Sequence, residues 1–492
     1  MEPISLQTML TWAAMLVTVA GWIIPFLMLF IVPPNRKPSS ATAWLMLIFA
    51  VPWVGLLIFL LLGSPKLSPR RRELQNKINE YIGEFVAEAR ADPETAPLIA
   101  PPIAERFRPF VDLSTNLGAL PAVAGNAIEL IADYDEMLAR IAADIDAAKR
   151  FVHVEFYILI ADGATESIFQ AMERAADRGV PVRVLYDPVG SRRYAPYKAT
   201  LRRLSAGGIL ARPMLPIRGT RDFNRPDLRN HRKIVVVDGE IAYTGSLNLV
   251  ERGYHRRDGL RYDELIARVR GPAADALDAV FRTDWLSETD EELSALSDLD
   301  YPMELTRDGE ALCQVLPSGS AFANENNLKL FVSLIHASRR RLVICNPYFV
   351  PDDALMLAVV SAAHRGVHIT LLNSEVHDQF FVAYAQRSYY EQLLRAGVEI
   401  RLYKAPTLLH SKTISVDDDI AVIGSSNLDM RSFTLNLEVS LVCYDRGVVR
   451  DLRRIEEAYI ANSRPLTLEE WLARPRMGQL FENIARLMSA LL

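Results

Sequence analysis

The stretch HRKIVVVD at residues 231–238 returns as HSKTISVD at residues 410–417. Both read H-x-K-x4-D, and each runs, after six intervening residues, into G-S-x-N: Gly245, Ser246, Leu247 and Asn248 in the first copy, Gly424, Ser425, Ser426 and Asn427 in the second. The residues between Lys and Asp, IVVV and TISV, read as a strand, whose period of two puts His and Lys on one face. Asp238-Gly239 and the Asp417–Asp419 run read as turns into a second strand, EIAYTG or IAVIG, with G-S-x-N at its end.

Working outward, the repetition spreads. RGVPVRVLYD from Arg178 is echoed by RGVHITLLNS from Arg365, and FVHVEFYI from Phe151 by LVICNPYFV from Leu342, while the two His motifs lie 179 residues apart. A search for internal repeats therefore makes the soluble region a duplication, with repeats at 121–298 and 299–492. Helical and strand patterns alternate within each, as in YDEMLARIAADIDAAKR followed by FVHVEFYIL. That alternation predicts an α/β fold in α-β-α layers.

One such half-site offers an imidazole, an ammonium, a hydroxyl and an amide. Two of them related by a pseudo-two-fold axis would surround one anion, which describes a phosphodiester site. Lys233 and Lys412 would neutralise the non-bridging oxygens, and Ser246, Asn248, Ser425 and Asn427 would hydrogen-bond them as charge builds in the transition state. One of His231 and His410 would attack phosphorus while the other protonates the leaving oxygen. A carboxylate on the second imidazole nitrogen fixes tautomer and orientation. Glu264 in RYDELIARV and Glu438 in LNLEVSLV, each downstream of a motif, are the candidates, with Asp258 and Asp263 competing in the first repeat. Asp238 and Asp417 are counted with the catalytic set, a structural role at their turns staying open. His153, His255, His336, His364, His368 and His377 lack this context. Three consecutive aspartates on a turn do not converge on one ion, no P-loop is visible, and neither metal nor cofactor is expected.

The N-terminal part has another character. In this 492-residue chain, residues 9–32 and 41–63 contain no charged side chain, and each reaches the roughly 20 residues that a bilayer-spanning helix needs. With only PPNRKPSS between them they predict a two-helix transmembrane hairpin over residues 1–66 rather than a cleaved signal peptide. Arg36 and Lys37 lie between the runs, and Lys66, Arg70, Arg71, Arg72 and Lys77 follow the second, so both termini and the catalytic domains are expected in the cytoplasm. Residues 67–120 read as a juxtamembrane helix and a proline-rich linker. Three scattered cysteines fit a reducing compartment. Residues 1–64 carry a net +1, leaving −6 of the total −5 to the remainder, which speaks against nucleic acid as partner. The local exception, Arg218 to Lys233 in RGTRDFNRPDLRNHRK, is expected to attract anionic headgroups.

These residues resemble the phospholipase D superfamily, and the surrounding stretches are similar to bacterial cardiolipin synthases of the two-span type: ATAWLMLIFAVPWVGLLIFLLLG, NHRKIVVVDGEIAYTGSLN, NPYFVPD and IGSSNLDMRSFTLNLEVSL among them. The resemblance covers nearly the whole chain. It implies two phospholipase D-like repeats in a bacterial inner-membrane protein, and transfer between two phosphatidylglycerol molecules to give cardiolipin and glycerol through a phosphohistidine. By the same resemblance His231 is the nucleophile and His410 the acid/base, an order the near-symmetric motifs leave open. YHRRDGLRYDEL and LLNSEVHDQ depart from the family pattern and put the acceptor in doubt. A hydrolase releasing phosphatidic acid differs only in letting water reach the intermediate, and a synthase using another donor or acceptor phospholipid is a further alternative. The acidic domain and apolar runs argue against a nuclease, and the intact motifs against a non-catalytic scaffold.

Overall fold

The computed structural model describes residues 6–36, 38–63, 66–217, 225–254, 259–289, 291, 305–322 and 325–487, in two compact units, Met1–Pro65 and Lys66–Leu492.

In the first unit, α1 (Leu6–Ile31) is among the described residues the one helix long and apolar enough to cross a membrane, with Pro25 inside it. The predicted second span is not a single helix. Pro52 has no N–H to continue the ladder, Val51 leaves helical geometry at φ −141° and ψ 80°, and the run divides into α2 (Pro38–Ala50) and α3 (Pro52–Leu62). The two fold back on one another: a Cβ on Gly55 would lie 2.7 Å from Ile48 Cα, and Trp44 meets Phe59 edge to face at 5.4 Å. Arg36, at the base, lies over both rings. Gly21, midway along α1, approaches Trp53 at the tip, and Phe26 meets Phe49. At 13 and 11 residues, α2 and α3 are roughly 20 and 17 Å long, short of a bilayer core of about 30 Å.

In the second unit the duplication is visible strand by strand. The first repeat supplies β1 (Ala122–Ile131), β2 (Val152–Phe156), β3 (Val182–Tyr186), β4 (Leu210–Pro213), β5 (Ile234–Val237), β6 (Ile241–Gly245), β7 (Arg261–Asp263) and β8 (Ile266–Arg270). The second supplies β9 (Ala311–Ser318), β10 (Arg341–Cys345), β11 (His368–Ser374), β12 (Glu399–Tyr403), β13 (Thr407–Leu409), β14 (Thr413–Val416), β15 (Ile420–Gly424), β16 (Glu438–Cys443) and β17 (Ser463–Leu466). Among the described residues, fifteen of these form one sheet in the order β17-β12-β11-β10-β14-β15-β16-β9-β1-β8-β6-β5-β2-β3-β4, while β13 pairs with β7. Read outward from the central β9–β1 pair, β16-β15-β14-β10-β11-β12 mirrors β8-β6-β5-β2-β3-β4. The antiparallel β1–β9 pairing, Val123 opposite Cys313, makes the two repeats one sheet.

Helices cover both faces. They include α4 (Pro69–Ala91), α5 (Arg108–Gly118), α6 (Pro272–Glu288), α7 (Phe380–Arg387), α8 (Arg446–Ala461) and α9 (Arg476–Leu487). The period of two decides what each strand feeds: Ile234 and Val236 of β5 join a central core with Leu277 and Val280 of α6, Leu452 of α8, and Ile423 and Leu441 of the other repeat. Val235 and Val237 face a core private to the first repeat. Part of the expected linker is a structural element instead, because Phe107, Phe110 and Val111 at the start of α5 are buried in the second repeat's core. The expected boundary between residues 298 and 299 lies outside the described residues.

Candidate active site

Each His motif enters its strand by pairing with the other repeat. The His231 N–H donates to Leu437 O at 2.9 Å and the His410 N–H to Asp263 O at 2.7 Å, one residue before Glu438 and Glu264 respectively. His231 Nδ1 consequently lies 3.0 Å from both carboxylate oxygens of Glu438, and His410 Nδ1 2.9 Å from both of Glu264. The glutamates expected from sequence are the partners, but crosswise: each orients the imidazole of the opposite repeat. With Nδ1 engaged, Nε2 is the nitrogen left for chemistry. Lys233 Nζ donates to His231 O at 2.7 Å and Lys412 Nζ to His410 O at 2.6 Å, leaving each ammonium further donors. Both lysines, both imidazoles and both glutamates are buried.

Burial dominates the electrostatics, because low-dielectric surroundings disfavour charge. It pushes Lys233 down to about 7 and Lys412 to about 8 against the pull of Glu438 and Glu264. His231 is driven well below its ordinary value by burial and then by Lys233 and Lys412. His410 is lowered by burial, with the Glu264 carboxylate opposing. Glu438 is raised to about 7 by burial in spite of Lys233, Ser425 and Ser432. Burial also works against ionised Glu264, but His410 and Lys412 outweigh it and hold the group below its usual range. The two halves therefore differ: an ionised carboxylate stands behind His410, and a more depressed imidazole stands at His231.

The other expected residues divide. Asn248 and Asn427 each bury a side-chain oxygen without a hydrogen-bond partner, and the Asn248 amide N–H donates to the Tyr254 hydroxyl at 3.3 Å. Ser425 Oγ instead donates to Glu438 at 2.5 Å, as Ser432 Oγ does at 2.8 Å, and Ser246 Oγ accepts from the Leu265 N–H at 2.9 Å. These hydroxyls brace the glutamates and the adjoining strand, a correction to their expected contact with phosphate. Asp238 and Asp417 stand at the far ends of β5 and β14 with φ of 58° and 48°. Their carboxylates accept from the backbone N–H groups of Lys149, Arg150 and Phe151, and of Arg339, Arg340 and Arg341. They tie turns together away from the imidazoles, so the structure removes them from the catalytic set. A cavity of about 500 Å³ beside that end of β5, lined by Phe85, Asp238 and Asp275, is likewise separate from the imidazoles.

Asp263 bonds Arg252 and Tyr403 instead of an imidazole, and Asp258, His255, Arg218 and Arg221 lie outside the described residues. Of the basic run, Arg225 pairs with Asp227, Arg229 with Asp187 and Arg232 with Asp284. Arg229 and Arg232 are buried. These three cations hold the loop together and are not offered to headgroups. Removing one partner of the buried Arg232–Asp284 pair would cost about 3–5 kcal/mol.

Several aromatic residues escaped the sequence reading. Tyr157 meets His231 edge-on at 5.1 Å, and Tyr262 and Tyr348 meet His410 at 5.4 and 6.4 Å. Asp378 accepts from the Tyr348 and Tyr262 hydroxyls at 2.6 and 3.2 Å. Tyr157 and Tyr348 follow the equivalent strands β2 and β10 but one residue out of step, because Val152 lies opposite Val237 and Leu342 opposite Val416, which matches Tyr157 to Pro347 and Tyr348 to Ile158. Among the described residues no group of three His, Cys, Asp or Glu side chains is placed to hold a metal ion.

The family profile described as "Cardiolipin synthase, PLD-like domain" matches residues 141–285 and 331–459. "Cardiolipin synthase A" of Proteus mirabilis (strain HI4320) is 32% identical over 475 residues, 96% of this chain and 97% of that one. Its namesake from Yersinia pseudotuberculosis serotype O:1b (strain IP 31758) is 32% identical over 463 residues, 93% and 94% of the two chains. Among solved structures, phosphatidylserine synthase of Haemophilus influenzae Rd KW20 superposes with a TM-score of 0.59 at 16% identity, covering 78% of this chain and all of that one, a likeness of fold.

Proposed function

The chain belongs to the cardiolipin synthase family with phospholipase D-like domains, and from that membership we propose that it transfers a phosphatidyl group between two phosphatidylglycerol molecules. Nε2 of neutral His231 attacks the phosphorus of the first, the phosphorus–oxygen bond to the headgroup breaks, and glycerol departs with a proton from His410. The hydroxyl of a second phosphatidylglycerol then returns a proton to His410 and attacks phosphorus. The phosphorus–nitrogen bond breaks and cardiolipin forms. Lys233 and Lys412 offset the phosphate charge, whose arrival favours their ammonium forms, and Asn248 and Asn427 supply amides.

The observation that carries this is the crosswise pair of His–Glu contacts, which leaves two imidazoles with free Nε2 atoms and unequal carboxylates in one buried site. The depressed imidazole at His231 suits a nucleophile, and the ionised Glu264 behind His410 suits an acid. Burial of the imidazoles favours a lipid hydroxyl over water as acceptor. The test supplies the purified chain with phosphatidylglycerol in vesicles and quantifies all products. Cardiolipin with an equal amount of glycerol is expected; phosphatidic acid without cardiolipin would overturn transfer in favour of hydrolysis.

At the membrane, the folded-back α2–α3 pair supports a single crossing by α1, with the hairpin dipping only to mid-depth. Arg36 then lies on the side from which the chain leaves at Gly63, and the next described cations in sequence, Lys66 and Arg70–Arg72, follow at once. By the excess of cations, this side and the catalytic unit are cytoplasmic at the inner membrane, with the N-terminus opposite.

A further inference from the structure

Helix α9 is inside out. An amphipathic helix on a water-facing surface turns its charged side outward. Here Glu482 and Ala485 are 4% and 2% exposed, whereas Leu480, Phe481 and Ile484 are about half exposed and Leu487 is 86% exposed. Inward-facing Glu482 accepts from Arg474 at 2.6 Å and pairs with Arg387 at 3.2 Å. The apolar face continues onto α7, where Phe380 and Phe381 are also half exposed. Ring contacts join the two helices, Phe380 to Tyr384 at 4.7 Å and Tyr384 to Phe481 at 5.9 Å. Contiguous apolar patches of this kind mark interaction surfaces.

We propose that the α7–α9 face is a membrane-docking surface, lying in the interface of an anionic bilayer with its aromatic and leucine side chains among the acyl chains. Charge favours that occupant: the one carboxylate of α9 is turned inward, α7 has none, and Arg486 is exposed beside the patch, the arrangement of an interfacial helix whose cation reaches for headgroups. Position favours it too. Two residues before Phe380 stands Asp378, hydrogen-bonded to the tyrosines that flank His410, so the patch adjoins the site where the phospholipids proposed above would enter. The choice of a bilayer over a second copy of the chain rests on that substrate reading.

A nitroxide on Ile484→Cys in the full chain tests this. Cys313, Cys345 and Cys443 are buried, which leaves the new thiol as the accessible one. In phosphatidylglycerol-containing vesicles the label is expected to collide with oxygen at least about threefold more than with a water-soluble nickel chelate. Greater access to the chelate would overturn the proposal, as would spin–spin broadening that vanishes on dilution with unlabelled chain, the signature of a second copy. The label reports whether or not lipid is turned over, so failure of docking and failure of the transferase reading are distinguishable. Phe481→Ser with Ile484→Ser should lower turnover of vesicle phosphatidylglycerol about tenfold while leaving a monomeric short-chain analogue within about twofold; equal losses on both would contradict docking.

Discussion

Burial weakens the hold of Lys233 and Lys412 on their protons, and this gives the chemistry a pH signature. A lysine with a lowered pKa loses its charge as pH rises through that lowered value. With values of about 7 and 8, the free chain should lose affinity for phosphate from about pH 7 upward. A bound phosphodiester stabilises both ammonium groups, so the alkaline limb of kcat should lie roughly one unit or more above that of kcat/KM. Profiles measured on phosphatidylglycerol check this, and a kcat/KM flat to pH 9 would contradict it. At this scale the sequence was informative about residue types. Two copies in one register singled out His231, Lys233, His410 and Lys412, and a carboxylate on an expected downstream strand pointed to Glu438 and, in competition with Asp258 and Asp263, to Glu264. Which glutamate serves which imidazole was hidden, because it depends on strands 207 and 146 residues away in the chain. Asp238, Asp417 and the two serines share the motif for structural reasons, and spacing alone does not separate bracing a turn or a carboxylate from touching a substrate.

Among the elements, the second apolar run shows what composition leaves out. Hydropathy sees 23 uncharged residues at 41–63, but one proline divides them, and Gly55 permits a backbone approach that no side chain would allow. The folded-back geometry supports the topology proposed above, with the N-terminus on the side opposite to that expected from two full crossings. With a cysteine at Gln7 or at Asn35 in right-side-out membrane vesicles, an impermeant maleimide should label Gln7→Cys and spare Asn35→Cys. The opposite pattern would restore two full crossings. The strand elements were more legible, since β5 and β14 are buried on both faces and flanked by turn residues. Helix α5 was not, because its apolar positions stand next to prolines and find their partners about two hundred residues later.

Over the whole molecule, the β1–β9 pair turns a sequence duplication into a single sheet, and the pseudo-two-fold axis makes one site from two half-sites. Neither repeat holds a complete His–Glu pair. That dependence was expected in outline from the repetition, while the crossing and the electrostatic inequality of the halves needed the folded chain. On the function proposed above, this inequality supports a division of labour in which His231 bonds to phosphorus and His410 moves protons. The measurement that tests it most directly is an alkaline quench of the chain during turnover of phosphatidylglycerol, followed by mass analysis of its histidine peptides. A phosphatidyl adduct on the peptide containing His231, absent from His231→Ala, is the expected result. An adduct on His410, or on neither histidine, would contradict it.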